Sequence, residues 1–211
     1  MTGKFITFEG GEGVGKSTQC TLLSDALRAK GIEVCQTREP GGAPGAEDIR
    51  ALLVNGEPGR WDAETETLLH FAARRNHVMH TVKPALEKGA WVVCDRFVDS
   101  TVAYQGYVGG VDREVIEDLY RFAAPGIRPD LTLVLDMEPA QGLLRASERG
   151  EGEDRYERMG DVFHAKLREA FLDIAAHAPE RCTVIDASTD VETVAAHIRA
   201  TVGSHFDLVL A

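Results

Sequence analysis

Gly10-Gly11-Glu12-Gly13-Val14-Gly15-Lys16-Ser17 fits the pattern G-x-x-x-x-G-K-[ST], and its flanks decide the fold. Before it, Lys4-Phe5-Ile6-Thr7-Phe8-Glu9 is a short apolar run rich in β-formers. After it, Leu22, Leu23, Ala26, Leu27 and Ala29 recur at helical spacing. Strand, glycine loop and helix in that order make a P-loop, a backbone cradle for phosphate. The glycines let successive N–H groups curl around phosphate oxygens, and the helix N-terminus adds partial positive charge. Lys16 brings a cation to the β- and γ-phosphates, and the Ser17 hydroxyl can hold Mg²⁺.

Outward from this loop, short apolar runs alternate with longer helical patterns. Strands are expected near 4–9, 33–37, 91–95, 131–136 and 182–186. Helices are expected near 16–30, 45–54, 64–88, 112–124, 139–148, 157–177 and 190–203, with a kink near Thr81–Val82 ahead of Pro84. Val92-Val93-Cys94 and Leu131-Thr132-Leu133-Val134-Leu135 suit strands covered on both faces. The pattern implies an α/β fold of the P-loop NTPase type. Its five-stranded parallel sheet is doubly wound, with helices on both faces, in a single domain over 1–211. Ligands in such a sheet sit at the carboxyl ends of the strands. The charged stretch around 145–157, with Gly150 and Gly152, interrupts two helical patterns and is read as a short mobile lid.

Composition narrows the class further. Net charge is −11, from 34 acidic against 23 basic residues, the opposite of a nucleic-acid-binding surface. No apolar run approaches the roughly 20 residues that span a bilayer, and the N-terminus lacks a secretory layout. A cytoplasmic chain with no membrane or nucleic-acid partner is expected. Cys20, Cys35, Cys94 and Cys182 form no C-x-x-C pair and read as reduced thiols. His77 and His80 lack the companions of a zinc site.

Four segments carry candidate chemistry. Thr37-Arg38-Glu39-Pro40-Gly41-Gly42 ends the second strand in a forced turn, and Arg50 follows on the next helix. Asp95-Arg96-Phe97 ends the third strand, where an acid can serve a metal and an arginine can clamp phosphoryl oxygens. Asp99-Ser100-Thr101-Val102-Ala103-Tyr104-Gln105-Gly106 reads by itself as a polar loop able to face a planar, hydrogen-bonding ligand. In His70-Phe71-Ala72-Ala73-Arg74-Arg75, His70 with Arg74 and Phe71 with Arg75 each set a ring one turn from a guanidinium.

Together these segments resemble the bacterial thymidylate kinases, P-loop nucleoside monophosphate kinases, across essentially the whole chain. The match is carried by Phe8-Glu9-Gly10 through Thr18, by R-E-P-G-G at 38–42, by F-A-A-R-R at 71–75, and by D-R-F at 95–97. Ser100 with A-Y-Q-G at 103–106, R-P-D-L-T at 128–132 and D-R-Y-E at 154–157 complete it. The resemblance implies transfer of the ATP γ-phosphoryl to dTMP, giving dTDP and ADP, with Mg²⁺ and as a homodimer. It assigns the loop from Gly10 to Thr18, with Arg145, to ATP. Ser17 and Asp95 would serve the metal, and Lys16 and Arg96 the transferring and acceptor phosphates. Glu12, Arg38, Glu39, Pro40 and Arg50 would line the dTMP phosphate and sugar. Arg74 would meet the thymine carbonyl, with His70 stacking and Phe71 an alternative one residue out of register. Ser100, Thr101 and Gln105 would read the base edge, and Tyr104 would press on the sugar at C2′. The family places its transition-state arginine either in the loop or in the lid; the loop's variable positions here hold no basic residue, so the resemblance implies the lid arginines Arg149 and Arg155. A different P-loop kinase, or a nucleotide-controlled switch, remains the alternative.

Overall fold

The structure, a computed structural model, describes residues 3–149 and 155–210. Strands Phe5–Glu9 (β1), Val34–Arg38 (β2), Trp91–Asp95 (β3), Leu131–Asp136 (β4) and Cys182–Asp186 (β5) form one parallel sheet in the order β2-β3-β1-β4-β5. Each expected strand is found within one residue at either end.

Alternation along the strands sends side chains to two covered faces. Ile6, Phe8, Trp91, Val93, Leu131, Leu133 and Leu135 pack beneath helices Lys16–Ala29 (α1) and Val191–Phe206 (α9). Phe5, Val92 and Cys94 face the opposite side. There they meet Ala63–His77 (α3) and Arg113–Ala123 (α6) through Phe71, Ile116 and Tyr120. Burial on both faces explains why the strands are nearly uninterrupted apolar runs. Thr7, Glu9 and Thr132 are the exceptions, and they form a buried polar stripe. The Thr7 and Thr132 hydroxyls pair at 2.8 Å, and Arg181 donates to Thr132 at 2.9 Å.

The remaining helices are Pro44–Val54 (α2), Lys83–Glu87 (α4), Val98–Thr101 (α5), Pro139–Arg149 (α7) and Asp161–His177 (α8). The interruption expected near Thr81–Val82 is found: a π-helical turn at Val78–Val82 breaks the long helix near 64–88 ahead of Pro84, which sits at the start of α4. One expectation needed correction. The polar segment 99–106 is not a loop: α5 continues into a π-helical run, Val102–Val108, packed on α8. Glycine is demanded most clearly at Gly13 (φ 68°), where a Cβ would stand 1.7 Å from the Gly142 carbonyl oxygen of α7. Among the described residues no helix is long and apolar enough to cross a membrane. The cysteines are unpaired, with Cys20, Cys94 and Cys182 buried.

Candidate active site

The glycine loop leaves the carboxyl end of the central strand, with β3 on one side and β4 on the other. Strand connections diverge there, and this crevice is where an open α/β sheet binds ligands. Gly15, at φ 95°, turns the chain into α1, so Lys16 and Ser17 begin the helix. Lys16 Nζ donates to the carbonyls of Gly11 (2.6 Å) and Gly10 (3.2 Å). Burial, with Arg96 beside it, pulls the Lys16 ammonium down to about 8. Ser17 Oγ donates to Asp95 Oδ2 at 2.5 Å, so the two expected metal oxygens are neighbours.

Arg96 stands at the centre. It adopts a left-handed backbone (φ 69°), uncommon for a residue with a Cβ. Its guanidinium donates to Glu12 Oε1 (3.0 Å), the Gly10 carbonyl (3.0 Å) and Ser100 Oγ (3.2 Å), and it lies over the Tyr104 ring. Tyr104 Oη also donates to Glu12, at 2.6 Å. Burial opposes the Glu12 charge, but Arg96, Lys16 and the Tyr104 hydroxyl outweigh it and hold the carboxyl at about 2. Burial likewise opposes the Arg96 charge, and Glu12 outweighs it, so Arg96 is more firmly protonated than usual.

On the β3–α3 side lies a cleft lined by Glu39, Arg50, His70, Arg74, Tyr104 and Tyr156. Arg74 forms its inner wall. Its Nε donates to Glu39 Oε2 (2.7 Å) and its Nη2 to the Phe97 carbonyl (3.1 Å) and Thr101 Oγ1 (3.2 Å). Nη1 is buried and has no hydrogen-bond partner among the described residues. His70 and Tyr156 line the cleft and approach each other at 3.3 Å. Burial first, then Arg74 and the other arginines, pull the His70 imidazole down to about 3, so it is a neutral ring at pH 7. Arg50 lines the cleft too and donates to the Pro40 carbonyl at 2.8 Å. Glu12, Glu39, Arg50, Arg96 and Glu157 border both this cleft and the one over Lys16, Ser17, Asp95 and Arg38. The two clefts therefore meet at Arg96. A third opening, beyond the glycine loop, is lined by Thr18, Arg145 and the segment after β5, including Thr189 and Asp190.

Two expected site residues lie elsewhere. Phe71 is in the hydrophobic core, 4 % exposed, with Arg74 packed over its ring. Its neighbour Arg75 donates to the Ala123 carbonyl of α6 (3.4 Å), so the His70/Arg74 register faces the cleft. Arg155 is no free lid cation: it is 1 % exposed, bound to the Leu53 carbonyl (2.9 Å), the Glu57 carbonyl (3.3 Å) and Glu66. Glu66 also accepts from Gln105 Nε2 at 3.0 Å, so Arg155 braces the cleft wall from behind. The Arg149 side chain and residues 150–154 of the expected lid lie outside the described residues.

Several residues here had no role in the sequence reading. His77 bridges Glu39 Oε1 (2.9 Å) and Thr37 Oγ1 (2.8 Å), which accounts for half of the H-x-x-H pair. Glu66 is too ordinary in type and spacing to have stood out, and Tyr156 was quoted only as part of the D-R-Y-E run. Glu9 was part of a quoted motif but had no role. It is buried and accepts from Phe97 N (2.8 Å) and Ser100 Oγ (2.6 Å).

Comparison with known proteins agrees with this geometry. A family model described as thymidylate kinase matches residues 8–198. A thymidylate kinase of Afipia carboxidovorans is 52% identical over 198 residues, 93% of this chain and 87% of that protein. One from Caulobacter vibrioides is 52% identical over 196 residues, 93% of this chain and 94% of its own. The crystal structure of thymidylate kinase from Ehrlichia chaffeensis superposes with a TM-score of 0.78 at 32% identity, covering 96% of this chain and 100% of that one. With its glycine loop, its R-E-P-G-G turn and its Arg74 cleft in one crevice, the chain belongs to the thymidylate kinase family.

Proposed function

We propose that this chain transfers the γ-phosphoryl group of ATP to dTMP, releasing dTDP and ADP. The observation that carries the reading is the junction of two clefts at Arg96: one holds the P-loop lysine, and the other is walled by Arg74, whose Nη1 has no hydrogen-bond partner among the described residues. A donor triphosphate over Lys16 and an acceptor phosphate at Arg96 then meet in line. No covalent intermediate is needed, because positioning and charge stabilisation supply the catalysis.

In this reading the loop amides and Lys16 hold the donor phosphates, with Thr18 and Arg145 toward the adenosine end. Arg96 and Arg50 receive the acceptor phosphate, and Arg38 and Glu39 shape its rim. Arg74 Nη1 donates to a base carbonyl. The neutral ring of His70 stacks, and Thr101 and Gln105 close the base edge. Tyr104, fixed by Glu12, presses on the sugar at C2′. Transition-state charge falls to Arg149 and not to Arg155. Ser17 and Asp95 offer adjacent hard oxygens, which fit Mg²⁺ held mainly by substrate phosphates. When bound, Mg²⁺ neutralises developing phosphate charge. The cytoplasmic location expected from the sequence stays part of this reading. The test is whether ADP release from ATP depends on added dTMP; a nucleotide-controlled switch would release almost none with any small acceptor.

Assembly belongs to the same proposal. Leu68 on α3 and Val115 and Phe122 on α6 are exposed apolar side chains on two helices packed side by side. Val115, Leu119 and Phe122 follow helical spacing along one face. A homodimer through this face covers them. Phe122→Glu is then expected to convert a dimer into a monomer in sedimentation analysis. A parent chain that is monomeric at micromolar concentration would contradict the dimer.

A further inference from the structure

Beneath the acceptor cleft runs a polar layer that the proposed reaction does not use. Glu9 ends β1 and is 0% exposed. Its partners are the Phe97 amide on Oε1 and the Ser100 hydroxyl on Oε2, both neutral donors. Asp99 lies in the same layer, but its charge is met by Arg181, which binds both carboxylate oxygens at 2.8 and 2.7 Å. Among the described residues Glu9 makes no such direct pair. A carboxyl buried among neutral donors is costly to ionise, and an amide or an apolar side chain would end a strand more cheaply.

The partners of Glu9 show what it grips. Phe97 directly follows Arg96, and Ser100 accepts one of the Arg96 guanidinium hydrogens. A single carboxylate thus holds the backbone after the left-handed residue and, through one hydroxyl, the end of that residue's side chain. Arg96 N is fixed separately, to the Phe8 carbonyl at 2.9 Å, just before Glu9. Left-handed backbone at a residue with a Cβ persists only where its surroundings over-determine it.

We infer that Glu9 is a positioning residue for the acceptor-phosphate clamp: it holds the Arg96 turn from beneath, through the Phe97 amide and the Ser100 hydroxyl. This rests on Arg96 receiving the acceptor phosphate. Burial first, and then the Asp99 carboxylate, push the Glu9 carboxyl up to about 8, against the opposing pull of the Ser100 hydroxyl, Arg96 and the Phe97 amide.

The experiment is a double-mutant cycle on the full chain with Glu9→Gln, Ser100→Ala and the pair. Rates are read against dTMP at saturating ATP and against ATP at saturating dTMP. Glu9→Gln is expected to lower kcat/KM for dTMP by about 10- to 100-fold, the scale of a small misplacement of a catalytic group. KM for ATP is expected to stay within about twofold, because the glycine loop is untouched. Ser100→Ala is expected to act in the same direction, and the pair to be little worse than Glu9→Gln alone, since both cut one chain of contacts. Unchanged dTMP kinetics in an active Glu9→Gln protein would overturn the inference. So would strictly additive losses, or an equal rise in both KM values with a lowered melting temperature, the mark of a merely structural role. If Glu9→Gln does not fold, Ser100→Ala decides alone, and parent-like dTMP kinetics in it would overturn the inference. A parent chain with no dTMP-dependent turnover would overturn the acceptor reading itself.

Discussion

Arg96→Ala is expected to lower kcat/KM for dTMP by about 10³-fold, or about 4 kcal/mol of transition-state stabilisation. Arg96 is where the two clefts meet, and its guanidinium is the cation common to both that also touches Glu12 and the glycine loop. Its charge is secure, because Glu12 raises its proton affinity against the cost of burial. Lysine is no substitute: three donor contacts from one planar group need the guanidinium fork. Arg96→Lys is therefore expected to recover less than a tenth of the loss. Initial rates at saturating ATP measure both effects, with circular dichroism to confirm folding. A loss below about tenfold in Arg96→Ala would place the acceptor phosphate elsewhere.

Arg74→Met is expected to act on stability as well as on binding. Glu39 is 5% exposed, and its carboxylate is shared between Arg74 Nε and His77 Nδ1. Removing the guanidinium strands a buried carboxylate, which costs about 3–5 kcal/mol when the partner is lost outright. His77 keeps one contact, so the lower end of that range is expected. Arg74→Met with Glu39→Gln is expected to regain part of the stability, because the stranded charge is gone, but none of the dTMP affinity. Urea unfolding reads the first effect and dTMP titration the second. A stability change under about 1 kcal/mol in Arg74→Met would mean that the buried pair contributes little.

How far the sequence reached can be seen residue by residue. Strand positions were legible because both sheet faces are covered, which makes Val92-Val93-Cys94 and Leu131–Leu135 continuous apolar runs. The glycine loop was legible because its chemistry needs fixed spacing. Segment 98–108 was not, since its hydroxyls, amide and glycine resemble a solvated turn. Its helical state comes from packing Ala103 and Tyr104 against Phe171 of α8, a contact far away in sequence. The choice between His70/Arg74 and Phe71/Arg75 was open for the same reason. Both pairs have identical spacing, and only the Phe5–Val92 core beneath α3 decides which ring turns inward. Arg155 differs from its expected setting in the opposite direction. A charged residue beside glycines reads as mobile, yet Leu53, Glu57 and Glu66 enclose it.

The most direct test offers dTMP, dUMP, dGMP, dCMP, AMP and thymidine separately with ATP and Mg²⁺, and measures ADP release, with Lys16→Ala as control. Strong turnover with dTMP, weaker turnover with dUMP and none in the control is the predicted result; one methyl group separates the first two acceptors and is worth about 1–3 kcal/mol. Preferred turnover with another acceptor would contradict the assignment of the Arg74 cleft to thymine, and no turnover with any of them would contradict the phosphoryl-transfer reading itself.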